Sequence, residues 1–129
     1  MNRQRLTVAA TAFAIAAVSA SAALMAGAAQ AQDGVADTYQ KKCMTCHGPN
    51  ADKKIAGPTL NGVAGRKIAA VKGYEYSDGL KAKKGNWTDA NLDAYLTKPK
   101  DFAPGTKMIP SVGDPEQRKA MIAHLKTLK

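Results

Sequence analysis

The 129-residue chain contains two cysteines, and both lie in Cys43-Met-Thr-Cys-His47, beside one of its only two histidines. Any fold must give this pentapeptide a setting, because its two thiols and adjoining imidazole are the strongest soft donors in the sequence. A tetrahedral zinc site needs four ligands, commonly as two separated pairs. Here only His124 remains outside the cluster, and His47 directly beside Cys46 is poorly spaced for such a site. A redox disulfide of the Cys-X-X-Cys type follows a strand in a thioredoxin-like sheet, yet no run of this chain alternates as a strand does. A third chemistry has to be weighed against the rest of the sequence.

The N-terminus indicates where the chain works. Met1–Arg5 carries two arginines and no acid, and Leu6 to about Ala29 is uncharged and dominated by small and apolar residues. Ala29-Gln30-Ala31 then places small residues at the minus-three and minus-one positions of a cleavage site. This is the pattern of a secretory signal peptide, so residues 1–31 are expected to be removed and residues 32–129 to form one domain. Gln4 separates Arg3 from Arg5, which excludes a twin-arginine signal. A retained anchor would need about 20 strongly apolar residues, and alanine is only weakly apolar. Losing Arg3 and Arg5 takes the net charge from +9 to +7. A basic surface attracts acidic partners, and export argues against nucleic acid as one of them. Domains of this size often depend on a disulfide, metal or cofactor. With Phe102 and Trp87 as its only phenylalanine and tryptophan, the mature chain is short of large side chains to fill an interior.

Export agrees with the third chemistry, because Cys-X-X-Cys-His is the attachment signature of a c-type haem. Each thiol adds to a vinyl group, and the histidine that follows is held where it can ligate the iron. The second face of the iron needs its own donor. Met1 and Met25 leave with the signal, Met44 is trapped between the two thiols, Met121 lies on an apolar helical stripe, and His124 reads as a packed helix residue. Met108 differs, since it sits in Ala103-Pro-Gly-Thr-Lys-Met-Ile-Pro110, where Pro104 and Pro110 stiffen the loop and lower the entropy lost in holding a sulfur in place. Axial His47 and Met108 would leave no open position on the metal, and a soft thioether favours ferrous iron.

The element pattern is helical throughout. Asp33–Lys42 is expected as a short helix with Val35 and Tyr39 on one face, followed by a Gly- and Pro-rich loop from His47 to about Tyr76 and a brief helix over Ser77–Lys84. Thr88 caps a helix that Pro99 stops, with Leu92, Tyr95 and Leu96 on a shared face. Asp114 as N-cap and Pro115 at the first position start a last helix to about Thr127, burying Met121, Ile122 and Leu125. The domain is expected to be all-α with long loops.

These residues resemble a class I cytochrome c, of the small mitochondrial-like bacterial type called cytochrome c2 or c550. The resemblance runs through Cys43–His47, Gly57-Pro-Thr-Leu60, Gly65-Arg-Lys67, Gly73-Tyr-Glu-Tyr76, Trp87, Tyr95-Leu-Thr-Lys-Pro99, Pro104-Gly-Thr-Lys-Met-Ile109 and the closing helix. It implies a cytochrome c fold around one covalent haem c, with Leu60 packed on the ring. Pro58 would place its neighbour's carbonyl to accept from the His47 Nδ1–H. Arg66, Tyr76 and Trp87 would compensate a buried propionate. Tyr95 would donate towards the Met108 sulfur, and Thr106 would tie the methionine loop down. The implied activity is that of a soluble, monomeric periplasmic electron carrier, not an enzyme. It would meet acidic docking faces of a bc1-type donor and of an oxidase, reaction-centre or reductase acceptor through a lysine ring (Lys42, Lys53, Lys54, Lys100, Lys107). The chain departs from the family pattern at Pro110, at Ser111–Pro115, at Leu80 and at Val35. The rival expectations are a haem-based gas-binding or sensor protein with an open sixth position, a thiol oxidoreductase and a haem peroxidase. The cytochrome c′ class of gas binders carries its motif near the C-terminus, whereas about 80 residues follow it here.

Overall fold

The computed structural model describes residues 34–48 and 56–129. The expected cleavage site at Ala31, and Lys53 and Lys54, lie outside the described residues. The first helical stretch, α1, covers 34–47: it is α-helical over 34–38, π-helical over Tyr39–Cys43 and α-helical again over Met44–His47. The helix runs past its expected end at Lys42, because no glycine or proline interrupts it before Gly48. Thr45 Oγ1 reinforces the last turn by donating to the Lys41 carbonyl at 3.0 Å. The cysteines and His47 therefore project from a helix. The π-turn, a frequent device at functional sites, falls on the residues that lead into the pentapeptide.

The next helix, α2 (Asp78–Lys81), is capped by Ser77 Oγ, which accepts from Leu80 N at 3.4 Å. It is shorter than the expected Ser77–Lys84, because the chain turns away at Gly85 (φ +90°), whose carbonyl accepts from Ile68 N at 3.0 Å. In α3 (Asp89–Thr97), Thr88 is the N-cap, and its hydroxyl accepts from Asn91 N at 3.2 Å. Lys98, at φ −146°, breaks this helix, and Pro99 then opens a further short helix, α4 (Pro99–Phe102). Pro99 was expected only as a stop. It does both jobs because a first-turn position needs no N–H and suits the fixed φ of proline. The last helix, α5 (Pro115–Thr127), starts as expected: Asp114 Oδ1 accepts from Glu116 N at 2.8 Å and Gln117 N at 3.2 Å.

α3 packs against α4 and α5, and α1 meets α5 where Tyr39 and His124 stack edge to face at 4.7 Å. Val35 and Tyr39 are buried together, as are Met121, Ile122 and Leu125. The loop between α1 and α2 satisfies its backbone by other means. Lys67 and Asn86 form an isolated antiparallel bridge, and Trp87 N donates to Arg66 O at 2.8 Å while Gly65 N donates to Trp87 O at 2.9 Å. This pins the long loop to the start of α3, which matters because Arg66 and Trp87 both border the cavity below. The described residues form an all-α fold with that single bridge.

Candidate functional site

A cavity of about 440 Å³ opens into the middle of the domain, within the range typical of ligand sites. It gathers Cys43, Cys46 and His47 from α1 and Pro58 and Leu60 from the following loop. Arg66, Tyr76, Trp87 and Tyr95 lie around it, and Thr106 and Met108 come from the loop between α4 and α5. All of the expected site residues thus border one space, although they come from positions 43 to 108. Much of the remaining wall is hydrocarbon. Leu92, Leu96, Met121 and Leu125 line the cavity and also belong to the buried core.

His47 is held on one side. Its Nδ1 lies 2.6 Å from the carbonyl of Pro58. A carbonyl can only accept, so Nδ1 carries the hydrogen and Nε2 is left with a free lone pair. Pro58 contributes its own carbonyl here, not its neighbour's as the resemblance implied; the Gly57 N–H, donating to Cys46 O at 2.6 Å, ties the loop to the end of α1 so that the Pro58 carbonyl falls on the ring. A Cβ on Gly57 would run into the His47 ring, so only glycine lets this loop close over the imidazole. Burial holds the His47 pKa below its ordinary value, with the Pro58 hydrogen bond opposing; the ring is neutral at pH 7. Burial pushes the Cys43 thiol up, and the Lys42 charge partly offsets this. The two sulfurs are not bonded to one another.

The opposite wall is a turn. Ala103-Pro-Gly-Thr106 has proline in second place and Gly105 at φ +77° in third, closed by Thr106 N donating to Ala103 O at 3.1 Å. This is the type II arrangement, which requires a left-handed third residue. Thr106, buried at 7% exposure, accepts from Met108 N at 3.3 Å and shares a 2.7 Å hydrogen bond with the Tyr95 hydroxyl. The resemblance implied that Tyr95 would reach the methionine sulfur. Its hydroxyl instead engages Thr106, one step removed. Burial raises the Tyr95 pKa, and the Thr106 bond opposes the rise. Gly79 of α2 backs the same turn, since a Cβ there would strike the backbone of Ala103 and Pro104.

Arg66 carries the clearest sign of a missing partner. Its Nη1 and Nη2 donate to Asn61 O at 3.0 Å and Thr59 O at 2.9 Å, but Nε is buried with none. A buried guanidinium N–H left unpaired is costly, and this one belongs to a side chain bordering the cavity. Tyr76, expected beside it, accepts from Val71 N at 3.2 Å through its hydroxyl, and Trp87 is buried between Tyr95 (5.0 Å) and Phe102 (5.8 Å). Two contributors went unassigned from the sequence. Tyr74 packs edge to face on Tyr76 at 4.7 Å, and the Gly73-Tyr-Glu-Tyr76 motif already marked it. Ile109, an apolar residue 79% exposed, also borders the cavity, and only its neighbour Met108 hinted at that.

Comparison with known proteins fits this geometry. The sequence profile of the family described as Cytochrome c matches residues 31–129. The chain belongs to the cytochrome c family. It is a class I cytochrome c, and a covalently attached haem c and electron transfer come with that membership. It is similar to a "Cytochrome c-type cyt cy" of Rhodobacter capsulatus, 47% identical over 94 residues that cover 71% of this chain and 46% of that one. It is similar to cytochrome c-550 of Ancylobacter novellus, 45% identical over 93 residues (67% of this chain, 85% of the relative). Among solved structures, cytochrome cH from Methylobacterium extorquens superposes with a TM-score of 0.63 at 38% identity, covering 77% of this chain and 97% of that one. The chain therefore spans under half of one relative and most of the other.

The cavity fits the cofactor of the family. Two sulfurs, a neutral imidazole with its lone pair free and a loop thioether border one apolar space. The orphaned Arg66 N–H is the kind of group that a carboxylate inside that space would satisfy.

Proposed function

We propose that this cytochrome is a periplasmic carrier of single electrons, with its haem c tethered by Cys43 and Cys46 and ligated by His47 and Met108. The observation that carries the reading is the meeting of both sulfurs, the imidazole and the thioether around one cavity. When bound, the haem supplies a reversible one-electron iron couple. The protein supplies the setting. Pro58 keeps the His47 proton on Nδ1, so Nε2 is available as a donor, and such an outer partner fixes ring orientation as well. Thr106 and Tyr95 hold the loop that presents Met108, and Leu60 with the leucines of α3 and α5 excludes water. Arg66 offers its free Nε–H to a haem carboxylate, with Tyr76 and Trp87 alongside. His47 and Met108 together would hold the iron and leave a substrate no place to react, which supports a carrier over an enzyme.

The rim supports docking to acidic partners. Lys42, Lys107 and Ile109 border the cavity from exposed positions, and Lys100 is exposed on α4. Cations around an apolar tip steer encounter yet allow quick release. The partners proposed are a bc1-type donor and an oxidase, reaction-centre or reductase acceptor, met by a monomer. Residues 1–31 are proposed as a cleaved signal and 32–129 as the working domain. No helix among the described residues is long and apolar enough to cross a membrane.

The test is ligand access. Purified ferric protein is expected to show the weak red-end absorption band of a sulfur–iron bond, and its native ferrous form to resist carbon monoxide. Rapid carbon monoxide binding by the native ferrous protein would instead identify a gas-binding site.

A further inference from the structure

Arg118 of α5 is a buried cation whose bonds all point towards the methionine loop and its support. Its side chain is 11% exposed. Nε donates to Asp93 Oδ1 on α3 at 2.8 Å, and Nη1 donates to the carbonyls of Val112 at 3.0 Å and Gly113 at 2.8 Å. Val112 is buried, and its own N–H donates to Leu96 O at the end of α3 at 2.8 Å. Val112 and Gly113 are therefore stitched to both helices, and the chain from Met108 reaches that anchor through residues 109–111. On the other side of Met108, Tyr95 holds Thr106. Asp93, Tyr95 and Leu96 belong to one stretch of α3, so a single helix anchors the loop before and after its sulfur.

We infer that the Arg118–Asp93 pair is a positioning device for Met108, setting how often the loop lifts its thioether away from the cavity. This rests on the proposed ligation by Met108. A loop that lifts as far as residues 112 and 113 takes two carbonyl acceptors from a buried guanidinium and leaves it only Asp93, which is costly. The planar fork of Arg118 spans a carboxylate and two carbonyls at once, whereas the compact ammonium of lysine cannot reproduce that geometry. Asp93 matters because it holds the fork at the angle that meets both carbonyls. A second bridge offers a control. Lys126 Nζ meets Asp89 Oδ2 at 2.6 Å and joins the same two helices, but it is exposed and touches no loop.

The experiment uses the full holoprotein and compares R118K, D93N and D89N. Loop opening is read from the rate of carbon monoxide binding to the ferrous form and from the pH at which the red-end ferric band is lost. R118K is expected to speed carbon monoxide binding about tenfold and to move loss of the band about one pH unit lower, matching a tenfold easier opening. D93N, which keeps an acceptor of the same shape, is expected to give about a third of that rate effect, and D89N none. If R118K or D93N lowers thermal stability without changing either readout, or if D89N changes both readouts equally, Arg118 is only a helix tie and the inference fails. Should R118K not fold, D93N decides alone. A parent protein that has no band and binds carbon monoxide at once overturns the Met108 ligation together with this inference, whereas an intact parent band with silent variants overturns the inference only.

Discussion

The two walls of the cavity are built in different ways. The His47 wall is local: the imidazole extends from the end of α1, and the residue that fixes it, Pro58, lies eleven positions on. One short hydrogen bond and one glycine hold it. The Met108 wall is assembled from afar, with Gly79 of α2 behind the turn, Tyr95 and Leu96 of α3 beside it and Arg118 of α5 at its far end. A donor held by its own helix moves only when that helix moves. A donor held by several separate contacts can leave when a few of them break together, as low-stability segments do. On the proposed ligation, the imidazole would be the fixed partner and the thioether the one that parts.

The largest effect expected tests what the walls share. Replacing both Cys43 and Cys46 with alanine should give an exported chain that carries no covalent haem mass and lacks the helical circular-dichroism signal of the parent. A folded, haem-bearing product would break the link between site and fold. The next tests separate the walls. Gly57→Ala and Gly79→Ala each force a Cβ into occupied space and should each cost about 1–3 kcal/mol in chemical denaturation. Only Gly79→Ala should also speed carbon monoxide binding to the ferrous form; equal acceleration in Gly57→Ala would mean that the walls open as one.

Acid probes the His47 wall alone. Without a metal, burial holds the His47 pKa below its ordinary 6.5, but an Nε2 that donates to iron, as proposed, has no site left for a second proton. Denaturation midpoints of the holoprotein should therefore stay level from pH 7 to pH 5, and a fall approaching about 1.4 kcal/mol per pH unit would show an imidazole free of the metal. Glu75, whose pKa is lowered by Lys81, adds loss only below its ordinary 4.5. The smallest effect is Tyr95→Phe. Removing the hydroxyl that meets Thr106 should cost about 1 kcal/mol while leaving the red-end band intact at neutral pH, and loss of the band would show the hydroxyl to be indispensable for sulfur ligation.

The same contrast governs what could be read from the sequence. The pentapeptide is contiguous, so its chemistry was legible at once. The caps Thr88 and Asp114 were legible because a cap is decided by its own side chain and the next three residues. The continuation of α1 through Cys46 was not, since a π-turn changes the helical period just before the pentapeptide. Pro99 was read as a stop because a proline forbids the helix behind it, and the one ahead depends on Lys98 turning first. The Met108 wall was reached partly through its prolines and otherwise only by resemblance. Its ties to Thr106 and Arg118 join distant positions, and no local pattern reports them.

Leu92, Leu96, Met121 and Leu125 face both the core and the cavity, so the cytochrome has no complete interior of its own. A copy that never receives its porphyrin has nothing apolar for these helices to close around, does not hold the fold and is exposed to proteolysis. The steady level of this protein in a cell should therefore follow the supply of haem and of the attachment machinery even when transcription is constant.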